Sequence, residues 1–187
     1  TGDGYKFAEK CGHKIIEPLP SLCGVNLGGS YFKKMQGLSL KNVGLTILYG
    51  NRKLKQLFGE MQFTHFGASG PLILTASALV NRLESKNVKF LLDFKPALSE
   101  EQLEKRILRD FEADKNKDIS NCLKNLLPSS AIEPLLERCK ISPYKKVNSV
   151  TRQERSSLLT NLKNFDMLFT SLRGFEEAVV TSGGVDL

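Results

Sequence analysis

Hydrophobic and polar positions alternate through much of the first half of the chain, at the two-residue period of a β-strand. The alternation is clear over residues 43–49 and again over 57–63, on either side of a turn signal at 50–52. This pattern predicts a β-hairpin between about residues 34 and 64. The alternating positions shift by one near Asn42, which predicts a β-bulge there.

The remaining strand patterns are shorter and lie far apart in the sequence. Residues 15–27 are extended, but Pro18 and Pro20 favour an edge strand over a central one because proline cannot donate to a sheet. Three further strands are predicted, at residues 88–94, 167–172 and 178–181.

Helical periodicity and N-cap residues dominate the rest of the chain. A short helix is predicted from Asp3 to Cys11, capped by Thr1 or Asp3, and a second follows residue 71 and runs to about residue 84. Further helix starts are predicted at Ser99 with Gln102, Asp118, Ser130 with Glu133, and Thr151 with Glu154. Three of these fall between residues 98 and 144, which predicts a small helical bundle inserted among the strands.

The stretch 63–71, Phe-Thr-His-Phe-Gly-Ala-Ser-Gly-Pro, joins a predicted strand to a predicted helix. Ser69 or Gly70 before a proline is typical of a helix start, and two glycines let the backbone approach a partner closely. Two interpretations stay open. The stretch is a tight turn and nothing more, or its main-chain amides bind a carbonyl group or an anion beside Thr64 and His65. A nucleophile elbow is excluded, because the sequence around Ser69 does not read Gly-x-Ser-x-Gly.

Composition limits the class of protein. The chain has 187 residues, of which 41% are hydrophobic, so it can bury a core. Its net charge of +7 is unevenly distributed, since six lysines and arginines but no acid lie between Glu17 and Glu60. A basic face of this kind meets nucleic acid, a nucleotide phosphate or an acidic substrate, or is simply solvated. Few aromatic residues alternate with these cations, which makes nucleic acid the less favoured partner.

The cysteines and histidines show no metal-binding spacing. The four cysteines contain no Cys-x-x-Cys pair, and neither His13 nor His65 lies near a second ligand type, so we expect reduced thiols, no metal and a cytoplasmic location. The sequence contains no apolar run long enough to span a membrane. It starts without methionine on a glycine-rich segment, and we expect it to be a piece of a longer protein.

Three motifs together indicate a family. They are Thr-Gly-Asp-Gly-Tyr at 1–5 followed by Gly12-His13, the stretch 63–71, and Gly-Phe-Glu-Glu-Ala at 174–178 leading to Thr-Ser-Gly-Gly-Val at 181–185. In this order, and over the whole chain, the sequence resembles the HI0933-like flavoproteins, which are FAD-dependent oxidoreductases. The resemblance implies an α+β fold: a small β-barrel of the translation-factor type, interrupted by a short helical bundle and preceded by an N-terminal helix.

The resemblance also implies a domain division and a cofactor. Residues 1–13 would be a stub of the FAD-binding domain and 183–187 the return to it. Residues 14–97 with 145–182 would form a discontinuous barrel insert, and 98–144 a helical subdomain. In the full-length parent, FAD would contact Gly2, Asp3, Gly183 and Gly184. The Gly-x-Gly-x-x-Gly fingerprint is not found in this sequence, so we expect the isolated chain to fold without a flavin and to be inactive.

The function implied is that of an insert which covers the flavin and shapes the substrate pocket. The parent would reduce a small unsaturated or carbonyl compound with electrons from a nicotinamide. His65 is the candidate catalytic residue, because an imidazole can donate a proton near neutral pH, although it can equally be a packed structural histidine. Thr64, Phe66, Ser69 and Gly70 are the candidate substrate-facing residues. The alternatives are a nucleic-acid-binding barrel and a purely structural or oligomerising insert. For an insert, we expect the two chain ends to lie close together.

Overall fold

The structure is a computed structural model that describes residues 2–186, so the predicted cap at Thr1 lies outside it. The helices are α1 Asp3–Lys10, α2 Tyr31–Lys34, α3 Pro71–Val80, α4 Glu100–Ala113, α5 Ile119–Cys122, α6 Ser129–Arg138 and α7 Arg152–Lys163. The strands are β1 Ile15–Ser21, β2 Val25–Leu27, β3 Ser39–Tyr49, β4 Arg52–Phe63, β5 Gly67–Ser69, β6 Val88–Asp93, β7 Phe165–Asp166, β8 Phe169–Leu172 and β9 Val180–Val185. The mixed α+β class is confirmed.

The main sheet closes into a barrel. Its strand order is β7-β6-β3-β4-β5-β2-β8, and its two outer strands are separated in the sequence by only Met167 and Leu168. The Met167 N–H donates to the carbonyl of Phe90 on one side, and the Leu168 carbonyl accepts from the Gly28 N–H on the other, both at 2.8 Å. The bent segment 165–172 therefore pairs with β6 through β7 and with β2 through β8. This closes the sheet and leaves it without a free edge.

The central hairpin, β3 with β4, has the predicted bulge. The register shifts between Leu40 and Val43, and Asn42 takes a φ of 57°, a left-handed conformation that asparagine tolerates. A second register shift, which the sequence pattern did not predict, lies at Leu54 between the Ile47–Lys55 and Leu48–Lys53 pairs. The residues of β3 that point into the barrel are buried, so the residues that alternate with them point outward.

Several predicted helix boundaries are confirmed and others are wrong. Ser99 and Thr151 both form complete capping boxes. The predicted box of Ser130 with Glu133 is wrong. The N-cap of α6 is Pro128, two residues earlier, and the Glu133 carboxylate pairs with Lys34 of α2 instead. Asp118 lies at an N-cap position, but its side chain makes no capping hydrogen bond.

Two other helix ends also differ from the prediction. Helix α1 is preceded by Gly2 in the left-handed conformation with no side-chain cap, so Asp3 is its first residue and not its cap. Helix α3 ends at Val80, because residues 81–83 form a turn in which Leu83 N–H donates to the Val80 carbonyl.

A partly buried ion pair joins the end of helix α7 to strand β6. Lys163 at the end of α7 lies 2.6 Å from the carboxylate of Asp93 on β6, and both side chains are at most 15% exposed. The same ammonium donates to the carbonyls of Lys95 and Leu98, at 3.1 and 2.7 Å. All three of its donors therefore have acceptors, which is the condition under which a buried charge is tolerated.

The two ends of the chain meet in a separate ribbon of two strands. Strands β1 and β9 pair antiparallel from Ile15–Val185 to Ser21–Val180, and α1 packs on both. The Asp186 N–H donates to the Lys14 carbonyl at 2.9 Å, and the side chains of the same two residues lie 3.1 Å apart as an ion pair. The predicted proximity of the ends is thus present in the fold.

Candidate functional site

The turn after β4 is held by its own threonine. The Thr64 N–H donates to the Gly67 carbonyl at 2.9 Å, and the Thr64 hydroxyl accepts from the Gly67 N–H at 3.2 Å. The short strand β5 follows, where Ser69 is half-buried and pairs with Gln62. Pro71 then begins α3 directly after Gly70, so the predicted strand, turn and proline-initiated helix are all present, with one short strand added between them.

The two glycines of the turn contact the chain's own backbone. A Cβ atom at Gly67 would lie 2.4 Å from the Val25 carbonyl oxygen and 2.7 Å from the Leu27 nitrogen. A Cβ atom at Gly70, where φ is 98°, would lie 3.0 Å from the Cα of Met61. The close approach that glycine permits is therefore explained by packing within the barrel. Whether Gly70 also faces a substrate stays a prediction.

His65 lies at the surface of the turn. Its ring is exposed and contacts the edge of Phe66, with the ring centroids 5.0 Å apart and the planes at 81°. Phe66 is half-buried and lies over Gly24, where a Cβ atom would be only 2.9 Å from the ring. The imidazole is thus not packed in the core. The ring contacts Phe66 on one side and is open to solvent on the other.

Arg173, which the sequence did not suggest, completes this cluster together with Glu177 of the third motif. The guanidinium of Arg173, just after β8, lies 4.5 Å from the centroid of the Phe66 ring, in a cation–π contact. Arg173 also forms an ion pair with Glu177 and lies 3.4 Å from the amide oxygen of Asn26. The hydrogen bond from Arg173 lowers the pKa of Glu177, which favours the ionised carboxylate in this ion pair.

The first and third sequence motifs meet in an open groove of about 690 Å³. It is lined by Gly2, Tyr5, Glu17, Pro18, Phe175 and Thr181. Phe175 belongs to the same short turn of 3₁₀-helix as Glu177, so the groove and the His65 cluster are joined through that turn. The Phe175 side chain is 56% exposed and borders this groove.

The candidate cofactor-binding residues have structural explanations of their own. A Cβ atom at Gly183 would lie 2.6 Å from the Glu17 carbonyl oxygen, and one at Gly184 would lie 3.3 Å from the Tyr5 ring. Asp3 is exposed and 3.4 Å from the ammonium of Lys6. These residues build the ribbon and the start of α1, and their contact with FAD in the full-length parent stays a prediction. Within residues 2–186, no three His, Cys, Asp or Glu side chains are placed to hold a metal ion.

The cluster around His65 can bind and position a ligand, and it can transfer a proton. It combines an exposed imidazole, a fixed aromatic ring and a charged Arg173–Glu177 pair that keeps the ring in place. It contains no nucleophile activated by a base. The arrangement suits a surface that orients a substrate, while the group that reacts with the substrate belongs to another molecule or domain.

Comparison with known proteins then decides the family. The family model described as the HI0933-like protein barrel and H2TH domain matches residues 19–180. The chain belongs to the HI0933-like family. The predicted membership is confirmed, and the matched range contains the barrel and the helical subdomain of this HI0933-like chain.

Three characterised relatives match nearly the whole HI0933-like chain. It is 25% identical to a 3-dehydro-bile acid delta(4,6)-reductase of Clostridium scindens, with 98% of this chain and 45% of the relative covered. It is 26% and 27% identical to the ribosomal RNA dihydrouridine synthases of Haemophilus influenzae and Escherichia coli, of which it covers 44% and 43%. The chain therefore spans less than half the length of each relative. Among its described helices, none combines the length and apolar composition that crossing a bilayer requires.

Proposed function

We propose that this chain is a domain inserted into the FAD-binding domain of a cytoplasmic flavin-dependent oxidoreductase, where it covers the flavin and shapes the substrate pocket. One observation supports the proposal: the three motifs that indicated the family lie far apart in the sequence but are linked in the fold, because the first and third line one groove and Arg173, next to the third, contacts Phe66 of the second. Both chain ends leave beside that groove, through the paired strands β1 and β9. The division into residues 14–97 with 145–182 and 98–144 is part of the proposal.

The reaction we propose is the reduction of a double bond activated by a carbonyl group. Dihydrouridine differs from uridine by two hydrogens across one ring double bond, and the bile acid relative is named as a reductase. The two activities thus share saturation of a ring double bond. FAD, held by the FAD-binding domain and reduced by a nicotinamide, would supply the electrons. The carbonyl compounds considered from the sequence alone are the less favoured substrates.

This chain would supply the proton and the position of the substrate. His65 is the proposed proton donor, because its imidazole is exposed next to the Phe66–Arg173 contact that links the motifs. Phe66 would contact the flat face of the substrate, and Thr64 and Ser69 would supply polar contacts beside it. Arg173 acts through Phe66 as a positioning residue, since its guanidinium fixes the ring from the other side.

The test compares the two histidines of the chain in the complete polypeptide. Both are exposed, but His13 lies in the loop after α1 and serves as the matched control. We expect His65→Gln to lower kcat for a cyclic enone by about 100-fold or more, which is typical for loss of a general acid, with the flavin absorbance and melting temperature unchanged. His13→Gln should stay near wild type.

Two results would overturn the proposal. Unchanged kcat and an unchanged pH profile in His65→Gln would remove this cluster from the active site. A complete polypeptide that purifies without FAD would remove the flavin function altogether. The isolated chain is expected to be colourless in either case, because the residues that hold the cofactor would lie elsewhere.

A further inference from the structure

The segment that closes the barrel is held by short stretches of strand pairing. Strand β7 pairs with β6 over two residue pairs and β8 pairs with β2 over three, whereas β3 pairs with β4 over nine. Leu168, at the bend between β7 and β8, has a φ of 51°, a left-handed conformation that costs energy for leucine. We call residues 165–172 the barrel seam. Its few backbone hydrogen bonds make it a place where the sheet can open locally.

Two side chains from helices bind the carbonyl groups of the bend. Arg138, the last residue of α6, donates from its guanidinium to the Asp166 carbonyl. The Tyr31 hydroxyl of α2 donates to the Met167 carbonyl. Burial raises the pKa of this hydroxyl well above its usual range, so it stays protonated and remains a donor. The bend between the two short strands is therefore held by groups that lie outside the sheet.

The same two side chains also pack on the first residue of the seam. Phe165 is fully buried, and the Arg138 guanidinium lies 4.6 Å from the centroid of its ring. The Tyr31 ring meets Phe165 edge-on, with the centroids 5.3 Å apart. Cation–π contacts strengthen as the cation is withdrawn from water, and Arg138 is half-buried. Arg138 therefore restrains both the backbone and a core side chain of the seam.

Helices α2 and α6 are joined to each other beside the seam. Lys34 of α2 lies 3.0 Å from the carboxylates of both Glu133 and Glu137 on α6. These pairs are exposed, so they contribute little stability and mainly orient the two helices. A small open pocket of about 210 Å³ is lined by residues of both helices and by Leu168 of the seam. The two helices thus form one cover over the bend.

The seam leads directly into the candidate functional site. Arg173 follows β8, and its N–H donates to the Gly24 carbonyl at 2.9 Å, which continues the pairing of β8 with β2. The guanidinium of the same residue lies over the Phe66 ring. Separation of β8 from β2 would therefore move Arg173 away from Phe66.

We propose that Arg138 and Tyr31 form a latch that keeps the barrel seam closed and thereby holds Arg173 at the candidate site. Residues 165–173 open as one local unit when both side chains let go of the bend. Because Arg138 belongs to α6, a change in the position of that helix reaches Phe66 through β8. The inference does not depend on the flavin function, because it concerns the fold of this chain alone.

The test measures native-state hydrogen exchange of single amides in the 187-residue chain by NMR. Met167 and Gly28 donate the hydrogen bonds that close the barrel, and Arg173 donates the bond next to the site, so these three amides report on the seam. Leu45, in the middle of β3 between β4 and β6, reports on global unfolding. In the wild-type chain, we expect the seam amides to exchange faster than Leu45, because they need only the local opening.

Two substitutions remove the latch one half at a time. Arg138→Met keeps a long side chain but removes the charged donor, so exchange of the seam amides should become about tenfold to a hundredfold faster. Tyr31→Phe removes only the hydroxyl and should make it about fivefold faster. If Arg138→Met does not fold, Tyr31→Phe carries the test, because it keeps the ring and its packing on Phe165.

Arg106→Met is the matched control. Arg106 is also a half-buried arginine of a helix, but its partners are Asp110 and the Asn125 carbonyl, at 2.7 and 3.4 Å, and neither belongs to the seam. Its contacts stay intact when the seam opens. The control can therefore speed exchange at Leu45 by lowering global stability, but it should leave the seam amides unchanged.

Four results would overturn the inference. Equal exchange of the seam amides and Leu45 in the wild-type chain would mean that the seam does not open locally. Seam amides that stay unchanged when the latch is removed would mean that the latch is intact in the open state. Equal acceleration by Arg106→Met would remove the special role of Arg138. Acceleration at Met167 and Gly28 but not at Arg173 would disconnect the seam from the candidate site.

Discussion

Replacing Gly67 by alanine tests whether the central turn is built by packing or by ligand binding. The added methyl group would meet the Val25 carbonyl oxygen at 2.4 Å and the Leu27 nitrogen at 2.7 Å, and both are backbone atoms of β2. Neither can rotate away, so β2 and β5 would have to separate where they pair through Asn26. Overpacking of this kind costs up to about 3 kcal/mol. At about 2 to 4 °C per kcal/mol, the melting temperature should fall by about 6 to 12 °C.

Gly37→Ala is the matched control for this substitution. Gly37 has a positive φ of 83°, yet nothing lies within 4 Å of the position its Cβ atom would take. Only the cost of a left-handed alanine applies there, about 1 to 2 kcal/mol. Both variants would be compared by calorimetry and urea unfolding. If Gly67→Ala lowers the free energy of unfolding no more than Gly37→Ala does, the packing argument is refuted. The glycines of the turn would then be explained by ligand binding.

Two further predictions concern the buried polar groups. Lys163→Met leaves the partly buried carboxylate of Asp93 without its ion-pair partner, so it should lower the free energy of unfolding by about 1 to 3 kcal/mol. Lys105→Met at an exposed pair should change it by less than about 1 kcal/mol. Urea titration measures both, and equal effects would contradict the role of the pair. Under native conditions at neutral pH, a maleimide should label Cys11 alone. Burial shields the other three thiols and raises their pKa, to about 11 for Cys122. Mass spectrometry that shows more than one fast label per chain would refute this.

Features set by neighbours in the chain could be predicted from the sequence. The capping boxes at Ser99 and Thr151 need only a hydroxyl and a carboxylate or amide three residues apart. Pro71 starts a helix because its own ring fixes φ, and the bulge at Asn42 follows from a shift in the alternating pattern. The family resemblance rests on three such local motifs, and the family comparison confirms it. The error at Ser130 arose because a second local signal, Pro128, was stronger.

Only the tertiary structure decided which side chains act together. Arg173 stacks on Phe66, and Lys53 and Lys89 both pair with Leu48, one from each side, although nothing near these residues in the sequence indicates either arrangement. Contacts of this kind depend on strand pairing and barrel closure, which many weak interactions across the whole chain determine jointly, so no local pattern records them.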